Sequence, residues 1–214
     1  MFDMLARSRS HAYLPDAPAS QRGFSIVELL VVVSMIVILT TITVFSLSAN
    51  KAAYGPDDEA TQVVSYFREA YQRALSQRQT HRVQIDRNSF VVRLLDEGLL
   101  PGGDEVEVIR GTLNKDVTME HPSLSGTQLP TPPAPYNYGS ANFVNGVWSV
   151  RFRADGSVVD ADGDPVSATL FFAPRNLDAN GANLIRAVTV FGPSGSVRAW
   201  RYDSGNNAFI AGVN

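Results

Sequence analysis

Three residues near the start of the chain have types and spacing suited to one specific piece of chemistry. Gly23 and Phe24 precede an apolar run whose single acid is Glu28. Hydrolysis of the Gly23–Phe24 bond would leave an α-ammonium on Phe24, four residues from that carboxylate. Positions i and i+4 share a helix face, and an acid in the first turn complements the helix dipole. An acidic side chain at the centre of a membrane helix costs about 2.5–3.5 kcal/mol, and less near its end. A plain anchor gains nothing from that cost. A helix with a positive terminus and a carboxylate one turn in can pair with another copy and neutralise both charges in lipid.

Two other constellations could bind ligands. Asp160, Asp162 and Asp164 alternate before a turn, the oxygen-rich arrangement a calcium ion prefers. The loop is not an EF-hand, because its sixth and twelfth positions are Pro165 and Phe171. Aspartate and glycine are also ordinary turn residues. Arg151 and Arg153 share one face of a predicted strand, while Arg198 shares a strand face with Trp200 and Tyr202, and Arg201 lies opposite. Arginine-bearing faces with aromatics can hold a nucleic acid by charge and stacking. The competing reading is the polar face of a half-buried sheet.

Catalysis has little to stand on. His11, His81 and His121 are far apart in sequence, and no Gly-x-Ser-x-Gly, phosphate loop or ligand-spaced histidine pair occurs. His81 reads as a surface or cap residue. The absence of cysteine excludes disulfides and thiolate metal sites. No cofactor is expected beyond the calcium option.

The elements that must position these residues follow from the apolar pattern. Leu29 to Asn50 is uncharged over 22 residues, about 33 Å of helix, enough to cross a hydrocarbon core of about 30 Å. Arg7, Arg9 and Arg22 all precede it, so positive-inside bias keeps the N-terminus cytoplasmic and sends the rest across. Gly55-Pro56-Asp57-Asp58-Glu59 has the composition of a helix start. Ala60, Val63, Val64, Phe67, Ala70, Tyr71 and Ala74 then recur every three or four residues, an apolar core face. The expectation is a helix over 24–79, interrupted near Gly55.

From His81 the period changes to two. HRVQID and SFVVRLL flank a hairpin turn, and EVEVIR, DVTME, GVWSVRFRA, GSVVD, VSATLFFAP, LIRAVTVFG and SVRAWRY read as further strands. A long helix followed by antiparallel strands is α+β. Residues 121–140 hold five prolines and read as an irregular or mobile loop.

Arg22-Gly23-Phe24-Ser25-Ile26-Val27-Glu28-Leu29-Leu30 resembles the class III signal of type IV pilins and type II secretion pseudopilins. The resemblance implies cleavage after Gly23 by a prepilin peptidase, N-methylation of Phe24, and an assembly role for Glu28. The segments Phe152-Arg153-Ala154-Asp155-Gly156, Arg186 to Val190 and Gly195-Ser196-Val197-Arg198 resemble the GspH/FimT group of minor pseudopilins. DNA-binding members of that group carry Gly-Arg-x-Arg, of whose two arginines this chain keeps only the second, Arg198.

The resemblance implies an organisation of leader 1–23, transmembrane and assembly helix 24–50, amphipathic stalk 51–80, and a β-rich, β-sandwich-like periplasmic domain 81–214. It also implies a single-pass inner-membrane subunit, with other pilins or pseudopilins as partners through the N-terminal helix. The expected function is a minor pseudopilin of type II secretion, with a minor type IV pilin in pilus biogenesis or DNA uptake as the alternative. The leader holds three basic and two acidic residues of the chain's 18 and 21, so the rest carries 15 and 19, net −4. An acidic domain favours the polar-face reading of the arginines.

Overall fold

The computed structural model describes residues 25–98, 105–178 and 181–212. Contacts divide the chain into two units, Met1–Val44 and Phe45–Asn214. Helix α1 (Ile26–Gln77) provides the described part of the first unit and opens the second. It runs through Gly55 and Pro56 without a break, where the sequence predicts a new start. A proline inside a helix forfeits one backbone bond and costs about 3 kcal/mol. Here the preceding residues are already helical, so proline's preference for a first turn does not decide the boundary. Gly55 is small where the helix meets the 114–117 loop: a Cβ there would sit 3.0 Å from Asn114 and 3.2 Å from Val117.

The second unit is a helix on two antiparallel sheets. The first sheet has the order β3 (Val106–Thr112), β2 (Val91–Asp96), β1 (His81–Asp86), β7 (Val147–Phe152), β8 (Val158–Val159). The second has the order β12 (Ala208–Ala211), β11 (Ser196–Asp203), β10 (Arg186–Phe191), β9 (Ala168–Pro174), β4 (Val117–Thr118). The period-two runs named above all form strands, and β12 and a small hairpin within 121–140 are added to them. The architecture is α+β, an apolar N-terminal helix followed by antiparallel sheets.

One core lies between the helix and both sheets. The stripe Ala60, Val63, Val64, Phe67, Ala70 and Ala74 is buried there, with Tyr71 packed at its margin. Phe67 meets Trp148 and Phe152 of β7 at 6.1 and 5.8 Å between ring centres. The second sheet contributes Leu170, Phe172, Val188 and Val190 to the same core.

The opposite face of the second sheet is also covered, which explains why β9 is apolar at nearly every position. Phe171, Ala187, Trp200, Tyr202 and Phe209 bury into a second cluster beneath Leu129, with Leu124 and Tyr136 packed against it. The cover comes from the proline-rich segment. It contains a small hairpin, β5 (Ser123–Leu124) with β6 (Thr127–Gln128), and Tyr136 lies 5.3 Å from Trp200. The segment expected to be irregular or mobile is thus packed, because its apolar residues shield a sheet face otherwise open to water. A short 3-10 turn, Ala182–Leu184, completes the cover.

Candidate functional site

The first candidate lies at the start of α1. The Ser25 hydroxyl accepts the Val27 N–H at 3.3 Å, and the Ser25 carbonyl accepts the Leu29 N–H at 3.1 Å. Serine at this position satisfies helix donors that have no partner in the first turn. Glu28 is therefore held in the first turn, on an exposed stretch of helix. Gly23 and Phe24 lie outside the described residues.

Behind Glu28, Ile26–Thr43 has mean hydropathy 2.5 and none of it is buried in the protein. Its few polar side chains are satisfied within the helix. Ser34, Thr40, Thr41 and Thr43 donate their hydroxyls to the carbonyls of Leu30, Ile36, Val37 and Leu39 at 2.7–2.8 Å. Such back-bonding leaves no hydroxyl donor unpaired in an apolar surrounding. Apart from its acid, the segment has the length and polarity of a membrane span.

The arginine constellation is not one surface. Arg151 donates Nε to Glu97 at 2.7 Å and Nη1 to the Asp160 carbonyl at 3.2 Å. Its side chain is mostly covered, and that of Glu97 is fully buried. Arg151, a candidate nucleic-acid contact in the sequence, is placed instead where its guanidinium compensates a buried carboxylate. Arg153 is exposed and lies just past the end of β7, where its Nη2 would stand 3.1 Å from a Cβ on Gly163. Arg198 stacks 4.4 Å above the Tyr136 ring. Arg201 is exposed on the other side of β11, opposite Arg186 of β10. Trp200 and Tyr202, expected beside Arg198 as a stacking surface, are buried in the second core instead.

The aspartate run forms a turn. Asp160 Oδ1 accepts the backbone N–H groups of Asp162, Gly163 and Asp164, each at 3.0 Å. Three donors converging on one oxygen describe an Asx-type turn. Among the described residues no group of three acidic or histidine side chains is placed to hold a metal ion. Asp160, Asp162 and Asp164, the calcium candidates of the sequence, are thus not gathered around one point: one Asp160 oxygen holds the loop, and the Arg153 guanidinium lies beside Gly163.

His81 is also corrected. It is fully buried at the start of β1, its Nε2 3.9 Å from Asp96 Oδ2, so it is neither surface nor cap. Several structural roles had no local signal in the sequence. Asp57 and Glu59, read as helix-start acids, instead join α1 to the sheet domain. Asp57 Oδ1 receives Arg186 Nε at 2.6 Å, and Glu59 Oε1 receives the Asn114 N–H at 2.5 Å. Burial pushes the Glu59 carboxyl above its ordinary value, the Asn114 bond opposing and Asp58 adding to the rise.

Residues 18–44 match the family model described as the prokaryotic N-terminal methylation motif. No curated protein matches the chain. Among solved structures, the type IV minor pilin FimU of Pseudomonas aeruginosa (strain PAO1) is similar in two crystal forms. One is 14% identical, covering 70% of this chain and 90% of that chain with TM-score 0.45. The other is 15% identical, covering 70% and 94% with TM-score 0.43. The minor pseudopilin EpsH of the Vibrio cholerae type 2 secretion system is 15% identical, covering 68% and 95% with TM-score 0.41.

Proposed function

We propose, for a chain that is type IV pilin-like through its N-terminal methylation motif, that it is a minor pseudopilin, a non-catalytic subunit of a short type II secretion filament. The observation that carries the reading is the motif itself, with Glu28 in the first turn of an exposed apolar helix. Before assembly the helix anchors the chain in the inner membrane, with the sheet domain in the periplasm. A prepilin peptidase cuts the Gly23–Phe24 bond, where glycine leaves room for the enzyme's approach. The new Phe24 amine is protonated, and transfer of one methyl group to it leaves that charge in place.

Assembly then follows from electrostatics. Moving the helix out of the bilayer edge and into a filament of apolar helices desolvates Glu28. The α-ammonium of a neighbouring pilin or pseudopilin supplies the opposite charge, and the pair is far stronger in that medium than in water. An ammonium without its carboxylate would remain buried and uncompensated, so Glu28 acts as a gate on incorporation.

Glu28→Ala tests the pairing. The variant is cut normally but is depleted from sheared filament fractions, read as the ratio of filament-bound to membrane-bound protein. Wild-type incorporation of Glu28→Ala would sink the pairing. Loss of the gene product distinguishes the machinery. Abolished export of a secreted enzyme with normal surface pili supports the secretion filament, and the reverse supports a minor type IV pilin.

A further inference from the structure

A cleft of about 780 Å3 opens between the β1–β2 turn of the first sheet and β4, the edge strand of the second. That is within the size range of ligand sites, about 300–1,000 Å3. Its lining is mostly polar, with Arg87, Arg175 and His121 among it, and includes the apolar Phe90, Pro174 and Leu177. Both guanidinium groups are held over aromatic rings, Arg87 at 5.2 Å from the Phe143 centre and Arg175 at 5.8 Å from that of Phe90. Stacking of this kind fixes a guanidinium while leaving its donors directed elsewhere.

The two arginines differ in what they already hold. Arg87 Nη1 donates to Glu120 at 3.2 Å, and that carboxylate is mostly exposed, 71% of its side chain being open to water. Arg175 donates Nε to the Lys115 carbonyl at 3.1 Å and has no ion-pair partner among the described residues. Two arginines and a histidine therefore face one peripheral acid.

We infer that this cleft binds an acidic, extended peptide segment through carboxylates on Arg87 and Arg175. Glu120 marks the chemistry: Arg87 already takes a carboxylate, and an incoming one replaces an exposed partner. The half-buried Phe90, Pro174 and Leu177 in the lining offer contacts to side chains, which an inorganic anion does not have. Alternate side chains of an extended segment point in opposite directions, so its apolar residues and its acids meet different parts of the lining. One of the two edges of the second sheet, β4, lies along the same cleft. The site is formed by the second unit and does not depend on cleavage at Gly23.

The test uses the full chain in detergent micelles and a fluorescent eight-residue peptide of alternating glutamate and leucine, amidated at its C-terminus. The glutamate peptide binds on the order of tenfold tighter than its glutamine counterpart. Arg87→Gln combined with Arg175→Gln removes the difference. Glu120→Gln tightens glutamate-peptide binding by several-fold, a change that a merely structural Arg87–Glu120 pair does not produce. A glutamine peptide with an uncapped C-terminus separates the two carboxylate sources, terminal and side-chain, and binding by either supports the site. Equal affinity for the glutamate and glutamine peptides overturns the proposal. So does unchanged affinity in Glu120→Gln, or inorganic phosphate displacing the peptide at lower concentration than acetate.

Discussion

Glu97, fully buried after β2, is held by Arg151 of β7 through an Nε–Oε2 bond of 2.7 Å, with Arg82 of β1 at 3.2 Å from its other oxygen. Arg82 in turn reaches Glu105 at 2.6 Å. The network joins β1, β7 and the segments after β2 and before β3 at one end of the first sheet. A carboxylate buried without compensating cations costs several kcal/mol, on the order of the penalty for any unpaired buried ion.

Arg151→Ala should therefore be among the costliest surface-adjacent substitutions. Removing one partner of a buried ion pair leaves the other uncompensated, at about 3 kcal/mol. A thermal melt followed by near-ultraviolet circular dichroism reads this as a clear drop in Tm. Arg198→Ala loses an exposed stacking contact worth about 0.5–1 kcal/mol, so its Tm should stay close to that of the wild type. Equal shifts in the two variants would contradict the burial of the Glu97 charge.

Gly195 gives a second stability prediction. It has φ +63°, and a Cβ would lie 2.7 Å from both the Gly156 carbonyl and the Tyr71 ring. Gly195→Ala combines backbone strain with a backbone clash, so it should cost at least about 1–2 kcal/mol. Gly126, with φ +79° and open space around it, is the control. Its alanine variant carries strain alone, and the melt should rank Gly195→Ala below Gly126→Ala.

How much of this was legible in the sequence depends on range. The stripe from Ala60 to Ala74 and the strand runs announce themselves by local period. The Glu97–Arg151 pair spans 54 positions, and nothing near either residue signals the other. Trp200 and Tyr202 share a strand face with Arg198, so alternation alone reads that face as polar. Only the cover supplied by Leu129 and Tyr136 makes it a core. Prolines in 121–140 exclude regular structure but not packing, and composition cannot tell the two apart. Gly55-Pro56 misleads for a related reason: proline favours a helix start but does not forbid a helix already under way. At the N-terminus the methylation motif was readable because it is carried by adjacent residues.

The buried Glu59 makes stability depend on pH. Its carboxyl is raised from 4.5, first by burial, so the folded chain holds that proton more tightly than the unfolded one. The contribution is present at low pH and lost as pH rises from about 4.5 through the folded value. Asp86, Asp155 and Asp203 are lowered from 3.8, chiefly by bonds from Ser89, Ser157 and Asn206. Their contributions are lost only as pH falls below about 3.8, outside the Glu59 window. The Tm of the wild type minus that of Glu59→Gln should be larger at pH 5 than at pH 7. A difference that stays constant or grows with pH would exclude this role for Glu59.

Nucleic acid provides another separation. Arg151 is committed to Glu97, and Arg198 and Arg201 point to opposite sides of β11. The double variant Arg198→Ala, Arg201→Ala should leave any retardation of duplex DNA by the chain unaltered across a salt series. A salt-dependent shift abolished by that variant would establish a DNA contact and favour the pilus alternative.

The central claim rests on one covalent event, and intact mass spectrometry of the chain extracted from the membranes of its native cells tests it most directly. The account predicts a polypeptide beginning at Phe24, lacking residues 1–23 and carrying one added methyl group on its N-terminal amine. In Gly23→Leu the uncut chain should accumulate. A native chain that retains residues 1–23, or begins anywhere other than Phe24, would contradict the account.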